Sequence, residues 1–78
     1  MATKLNSTTL DPRYVQISRQ EAAKILGVSP SEFNRLRQND PDCPNGFRHG
    51  TARNSLLSFR LQDIYDYSEL RMQRAEAA

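Results

Sequence analysis

Apolar residues are spread unevenly along this chain, and their spacing predicts where it folds. The first thirteen positions, MATKLNSTTLDPR, are polar, Ser/Thr-rich and without period, as expected of a flexible N-terminal tail. Tyr14, Val15, Gln16 and Ile17 alternate, which suits a short extended lead-in. The period then changes. Ala22, Ile25 and Leu26 recur at three- and four-residue spacing and form one stripe on a helix. Ser18 and Glu21 precede them at capping-box spacing: the serine accepts from an early helix N–H while the glutamate reaches back. Gly27 stops the helix, because glycine takes the left-handed conformation beyond a helix end at little cost. These signals predict a helix over residues 19–26.

A second start follows at once. Ser29-Pro30-Ser31-Glu32 repeats the capping pattern, with proline at the first helical position, where its missing N–H costs nothing. Val28 before the cap and Phe33 after it are placed to form a hydrophobic staple. The helix is expected over 30–39, with Phe33 and Leu36 facing inward. Only Gly27 and Val28 separate the two helices, so they meet at a tight corner, as in a helix-turn-helix. Residues 39–50 carry Pro41, Pro44, Asn45-Gly46 and Gly50, which is loop chemistry. Phe47-Arg48-His49 and Ser55 to Arg60 read as two short strands joined by a hairpin.

From Leu61 the helical period returns. Leu61, Ile64, Tyr65, Ser68 and Met72 share one expected inner face, with Asp63, Asp66 and Glu69 outside, over 61–74. Tyr67 and Leu70 fall on that acidic outer face, which makes them candidates for contact between copies of the chain. The expected architecture is α+β: a small winged helix-turn-helix over 14–75, ordered helix, turn, helix, hairpin wing, helix, behind the 1–13 tail.

Composition narrows the function. The chain has 78 residues, enough for one small core and no roomy catalytic pocket. No apolar run is long enough for a membrane span or a secretory leader, so a cytoplasmic, nucleoid-associated protein is the expectation. With one cysteine, Cys43, and one histidine, His49, neither an internal disulfide nor a Cys/His zinc site can form. Cys43 reads as a small, half-buried apolar side chain, and Asp40 and Asp42 as a solvated turn. There is no phosphate-cradling glycine loop and no nucleophile–base pair at motif spacing. No catalytic residue, metal, cofactor or small-molecule ligand is expected, and the chain does not read as an enzyme.

Net charge is only +2, but its distribution is uneven. Arg35, Arg37, Arg48, Arg53 and Arg60 face only Asp40 and Asp42 across residues 35–60, while the remainder is slightly acidic. The planar fork of arginine suits phosphates and guanine edges. On the second helix, at about 100° per residue, Asn34, Gln38, Ser31 and Arg35 span an arc of about 100° opposite Phe33 and Leu36. Any surface helix has a polar outer face, yet an inert one more often carries Glu/Lys pairs. Serine, asparagine, glutamine and arginine are side chains that read base edges in a major groove. Ser31, Asn34, Arg35 and Gln38 are therefore the candidate base-reading set. Ser29, Arg37, Arg48, His49 and Arg53 are candidates for phosphate or wing contacts. Glu32 is read as structural.

These residues resemble the AlpA-like regulators and phage excisionases of the MerR-type winged helix-turn-helix superfamily. The resemblance rests on Ile17-Ser18-Arg19-Gln20-Glu21-Ala22-Ala23, Leu26-Gly27-Val28-Ser29, Phe33 with Leu36-Arg37, Cys43-Pro44, and Phe59-Arg60-Leu61 with Asp63-Ile64. Where the family often has Phe-Pro, this chain has Cys43-Pro44; where it usually has a tryptophan in the third helix, Tyr65 or Tyr67 stands. The resemblance implies a sequence-specific partner of double-stranded DNA from a phage or integrative element. An excisionase would bind and bend DNA beside an integrase, with neighbouring copies of itself, to bias recombination toward excision. The alternatives are an AlpA-like transcriptional regulator, or an interaction module (antirepressor or adaptor) that does not bind DNA.

Overall fold

Two capped helices meeting at Gly27 set the framework for everything else. The structure, a computed structural model, describes residues 10–50 and 56–77. Residues 1–9 of the expected tail, and Arg53 of the expected wing, lie outside the described residues. Just ahead of Tyr14, the Asp11 side chain caps a short 3-10 turn over Pro12–Tyr14 and holds Arg13. The elements then run β1 (Gln16–Ser18), α1 (Arg19–Leu26), α2 (Pro30–Asn39), β2 (Phe47–Arg48), β3 (Leu57–Arg60) and α3 (Leu61–Ala77). Among the described residues the fold is mixed α+β, with three α-helices and one three-stranded antiparallel sheet, ordered β1-β3-β2.

The local signals explain the first half. Ser18 Oγ accepts from Glu21 N, and a Glu21 carboxylate oxygen accepts from Ser18 N, each at 3.1 Å, closing the capping box of α1. Gly27 ends that helix at φ 74°, and Val28 N donates back to Ala23 O at 3.0 Å, which satisfies carbonyls the helix leaves open. At α2 the box is half made. Ser29 Oγ accepts from Glu32 N at 3.1 Å, but the Glu32 carboxylate turns to Arg35 at 3.4 Å.

The core is Ala22, Ala23, Phe33, Cys43, Phe59, Ile64 and Tyr67. Ala22 and Ala23 are small, which lets α1 lie close against α2 and α3. Ile25, expected in the stripe, is 39% exposed and outside the core, and Ala23 is buried there beside Ala22. Phe33 of α2 and Phe59 of β3 meet with ring centroids 5.1 Å apart, joining the helix pair to the sheet. Burying each of these rings contributes about 1.5–3 kcal/mol. Gly46 lies over the same ring. A Cβ there would come within 2.8 Å of both the Phe59 ring and the Ser58 carbonyl, and φ is 77°, so glycine is required twice over.

The sheet extends the expected hairpin. β1, read from sequence only as a lead-in, pairs with β3 so that Ile17 faces Phe59. Side chains alternate along a strand. Ile17, Leu57 and Phe59 therefore share the helix side of the sheet, and Arg48, paired with Leu57, joins them.

Helix α3 corrects the inner face. Tyr67 is 2% exposed, and Leu70 packs against the core, whereas Tyr65 and Met72 are exposed. The buried face is rotated by about a quarter turn from the one predicted. Tyr67 and Leu70 are thus not an outer contact for a second copy; they help hold α3 to the domain. Asp40 and Asp42 do lie in a turn, with Asp42 exposed as expected, but their carboxylates have protein partners. Tyr67 Oη and Arg74 Nη1 each donate to Asp40 Oδ2 at 2.7 Å, and Arg74 Nη2 donates to Asp42 Oδ2 at 2.5 Å. This network ties the loop after α2 to the C-terminal half of α3. Arg74, followed by Tyr67 and the Asp42 N–H, holds the Asp40 carboxyl well below the usual carboxylate range. Burial, and then Asp40, push the Tyr67 phenol well above its ordinary value.

Candidate nucleic-acid interface

Helix α2 places three of the four expected base-reading residues in the open. Ser31, Arg35 and Gln38 are exposed along one ridge. Arg35 is 70% exposed, and its contact with Glu32 is a surface pair that a stronger ligand would displace at little cost. Asn34 differs. It is half-buried, and its Oδ1 accepts from Arg37 Nη1 at 3.4 Å. It lies between the ridge and Arg37 on the helix surface. Ser29 is exposed at the N-terminus of α2, with its hydroxyl occupied by the cap.

Arg37 is held from several sides. Its Nη2 donates to the Asn45 carbonyl at 3.0 Å, and its guanidinium carbon sits 5.4 Å from the centre of the Phe59 ring. It lines a cleft of ≈ 280 Å³ together with Ser18, Arg19 and Gln20 at the start of α1, Arg48 of β2, and Leu56 and Leu57. Burial, and then the charges of Arg19 and Arg48, pull the Arg37 guanidinium below its ordinary value. Among the described residues lining the cleft none is acidic. The Nε atoms of Arg19 and Arg37 are both buried with no hydrogen-bond partner. Three cations thus share a space smaller than a typical small-molecule pocket.

The structure therefore brings Arg37 and Arg48 together, as phosphate contacts would need, and adds Arg19, which sequence reasoning passed over. The overlooked signal was electrostatic: the first turn of a helix favours acidic side chains, and Arg19 stands there against that preference. His49 goes the other way. It is exposed, its Nε2 lies 2.9 Å from Ser58 Oγ, and its ring meets Phe47 at 5.5 Å on the sheet face away from Arg48. Arg53 lies outside the described residues. Cys43 is buried more deeply than expected, and burial pushes its thiol up, so it is poorly suited to be a nucleophile. Among the described residues no helix is long and apolar enough to cross a membrane.

Comparison of the chain with protein-family models, with curated proteins and with solved structures found no match.

Proposed function

We propose that this chain is a sequence-specific DNA-binding protein of the winged helix-turn-helix kind. In this reading α2 enters the major groove, and the β2–β3 hairpin is the wing that grips the backbone beside it. The observation that carries the proposal is the exposed ridge of Ser31, Arg35 and Gln38, joined through Asn34 to the cleft of Arg37 and Arg48. Arg35 reads a guanine edge, Gln38 an adenine, and Ser31 supplements either. Following the resemblance to excisionases and AlpA-like regulators, we assign the role of an excisionase acting beside an integrase. The interaction-module alternative loses its main support, because Tyr67 and Leu70 face the core.

Selection of duplexes from a randomised pool, followed by binding titrations, tests the reading. A defined sequence is enriched, and its affinity falls steeply with salt. Arg35→Ala costs about 1–3 kcal/mol on that sequence and relaxes preference at one base pair. Equal losses on selected and random duplexes would refute base reading by Arg35. The excisionase role is tested by recombination with the integrase of the same element: added protein raises excision and suppresses integration.

A further inference from the structure

The cleft at the start of α1 contains more positive charge than the fold requires. Arg19, Arg37 and Arg48 converge there from three different elements, α1, α2 and β2. Like charges in one cleft repel, and two of the guanidinium groups bury an Nε donor without an acceptor. A domain optimised only for stability would place a carboxylate in this space, as the same molecule does with Arg74 beside Asp40 and Asp42. The cleft also differs from the ridge in arrangement: three guanidinium groups converge on one space, which suits a compact polyoxygen anion.

We propose that Arg19, Arg37 and Arg48 form a cradle for one phosphate group, occupied by a backbone phosphodiester of the duplex that α2 reads. The choice of the duplex over a free phosphate rests on the DNA-binding reading and on position. Arg37 shares α2 with the ridge and is bonded to Asn34 at its flank. A strand held in the cleft would thus run alongside the reading helix and fix its depth and register. The cradle gives Arg19 a role that its place in α1 alone does not explain.

Arg19→Gln tests this, because glutamine keeps the aliphatic stem and a polar end and removes the charge. The free variant is expected to melt no lower than wild type, since a repelling charge has gone. Its affinity should fall several-fold on selected and random duplexes alike, with the slope of log K against log[salt] reduced by about 0.9, one released counterion. In parallel, the Nε–H resonances of Arg19 and Arg37 are followed by NMR during titration with a short duplex and, separately, with inorganic phosphate. Movement with duplex at concentrations where inorganic phosphate has no effect supports the cradle. Unchanged affinity and salt slope in Arg19→Gln, with wild type binding duplex normally, overturns the cradle and leaves the DNA-binding reading intact. A wild type that ignores duplex at low salt overturns that reading, and with it the backbone as the source. Resonances that still move with inorganic phosphate then keep the phosphate site. Resonances silent with both probes overturn the site as well.

Discussion

Two clusters of charge flank α2, and they are built on opposite plans. At its C-terminal end Asp40 and Asp42 meet Arg74 and the Tyr67 phenol in a closed set of short hydrogen bonds. Beside Arg37, three arginines converge on a cleft that no acidic side chain lines among the described residues. The first cluster pairs both carboxylates with the one guanidinium of Arg74 and holds α3 against the loop after α2. The second gathers three cations in one cleft, which in the proposed reading receives an anion from outside. Arg37 links the two plans, since it also donates to Asn45 O and lies over the Phe59 ring of the core.

That contrast can be attacked from either side. The largest expected effect is at Tyr67. Tyr67→Ala removes a fully buried ring and its tie to Asp40, and should cost about 3–5 kcal/mol by denaturant unfolding, enough to unfold a domain of this size. Tyr67→Phe removes only the hydroxyl. It should cost about 1.5 kcal/mol, the low end for a hydrogen bond to a charged group, while DNA affinity of the folded protein stays at the wild-type value. If Tyr67 were instead an outer contact between copies, both variants would keep wild-type stability and change only self-association.

The smallest effect, and the sharpest contrast, is with pH. The Asp40 carboxyl is held below its ordinary value in the fold, so its contribution to stability is complete above the unfolded carboxylate value of about 4. It is lost as pH falls from there through the lowered folded value. The melting temperature should therefore drop on acidification below pH about 4, and drop less in Asp40→Asn, which starts lower. The cleft arginines remain charged across that range and respond to salt instead. An Asp40→Asn protein whose acid response matches wild type would remove Asp40 from the account.

Much of this arrangement was legible in the sequence where the signals are local. Ser18 with Glu21, Gly27, and Ser29-Pro30 act within a few residues of the ends they define, and α1 and α2 begin and end where those signals place them. The hairpin was legible for the same reason. What sequence did not reveal depends on distant partners. The expected stripe of Leu61, Ile64, Tyr65 and Met72 is as good on α3 as one of Ile64, Tyr67 and Leu70, with Ile64 common to both. Only contact with α1, the 3-10 turn and Asp40, 27 residues away, selects the second. The pairing of β1 with β3 likewise joins residues far apart in the chain. In the candidate site, the ridge of α2 followed from helical geometry alone. The role of Arg19 required knowing which face of β2 carries Arg48.

The central claim is that the open side of α2 meets a duplex, and amide shift mapping tests it most directly. On titration with a selected duplex, the account predicts the largest ¹H–¹⁵N shifts at Ser31, Arg35 and Gln38, with Arg37 and Arg48 next and the outer face of α3 unmoved. Shifts concentrated on α3 or on the sheet face of Phe47 and His49, with α2 silent, would contradict it.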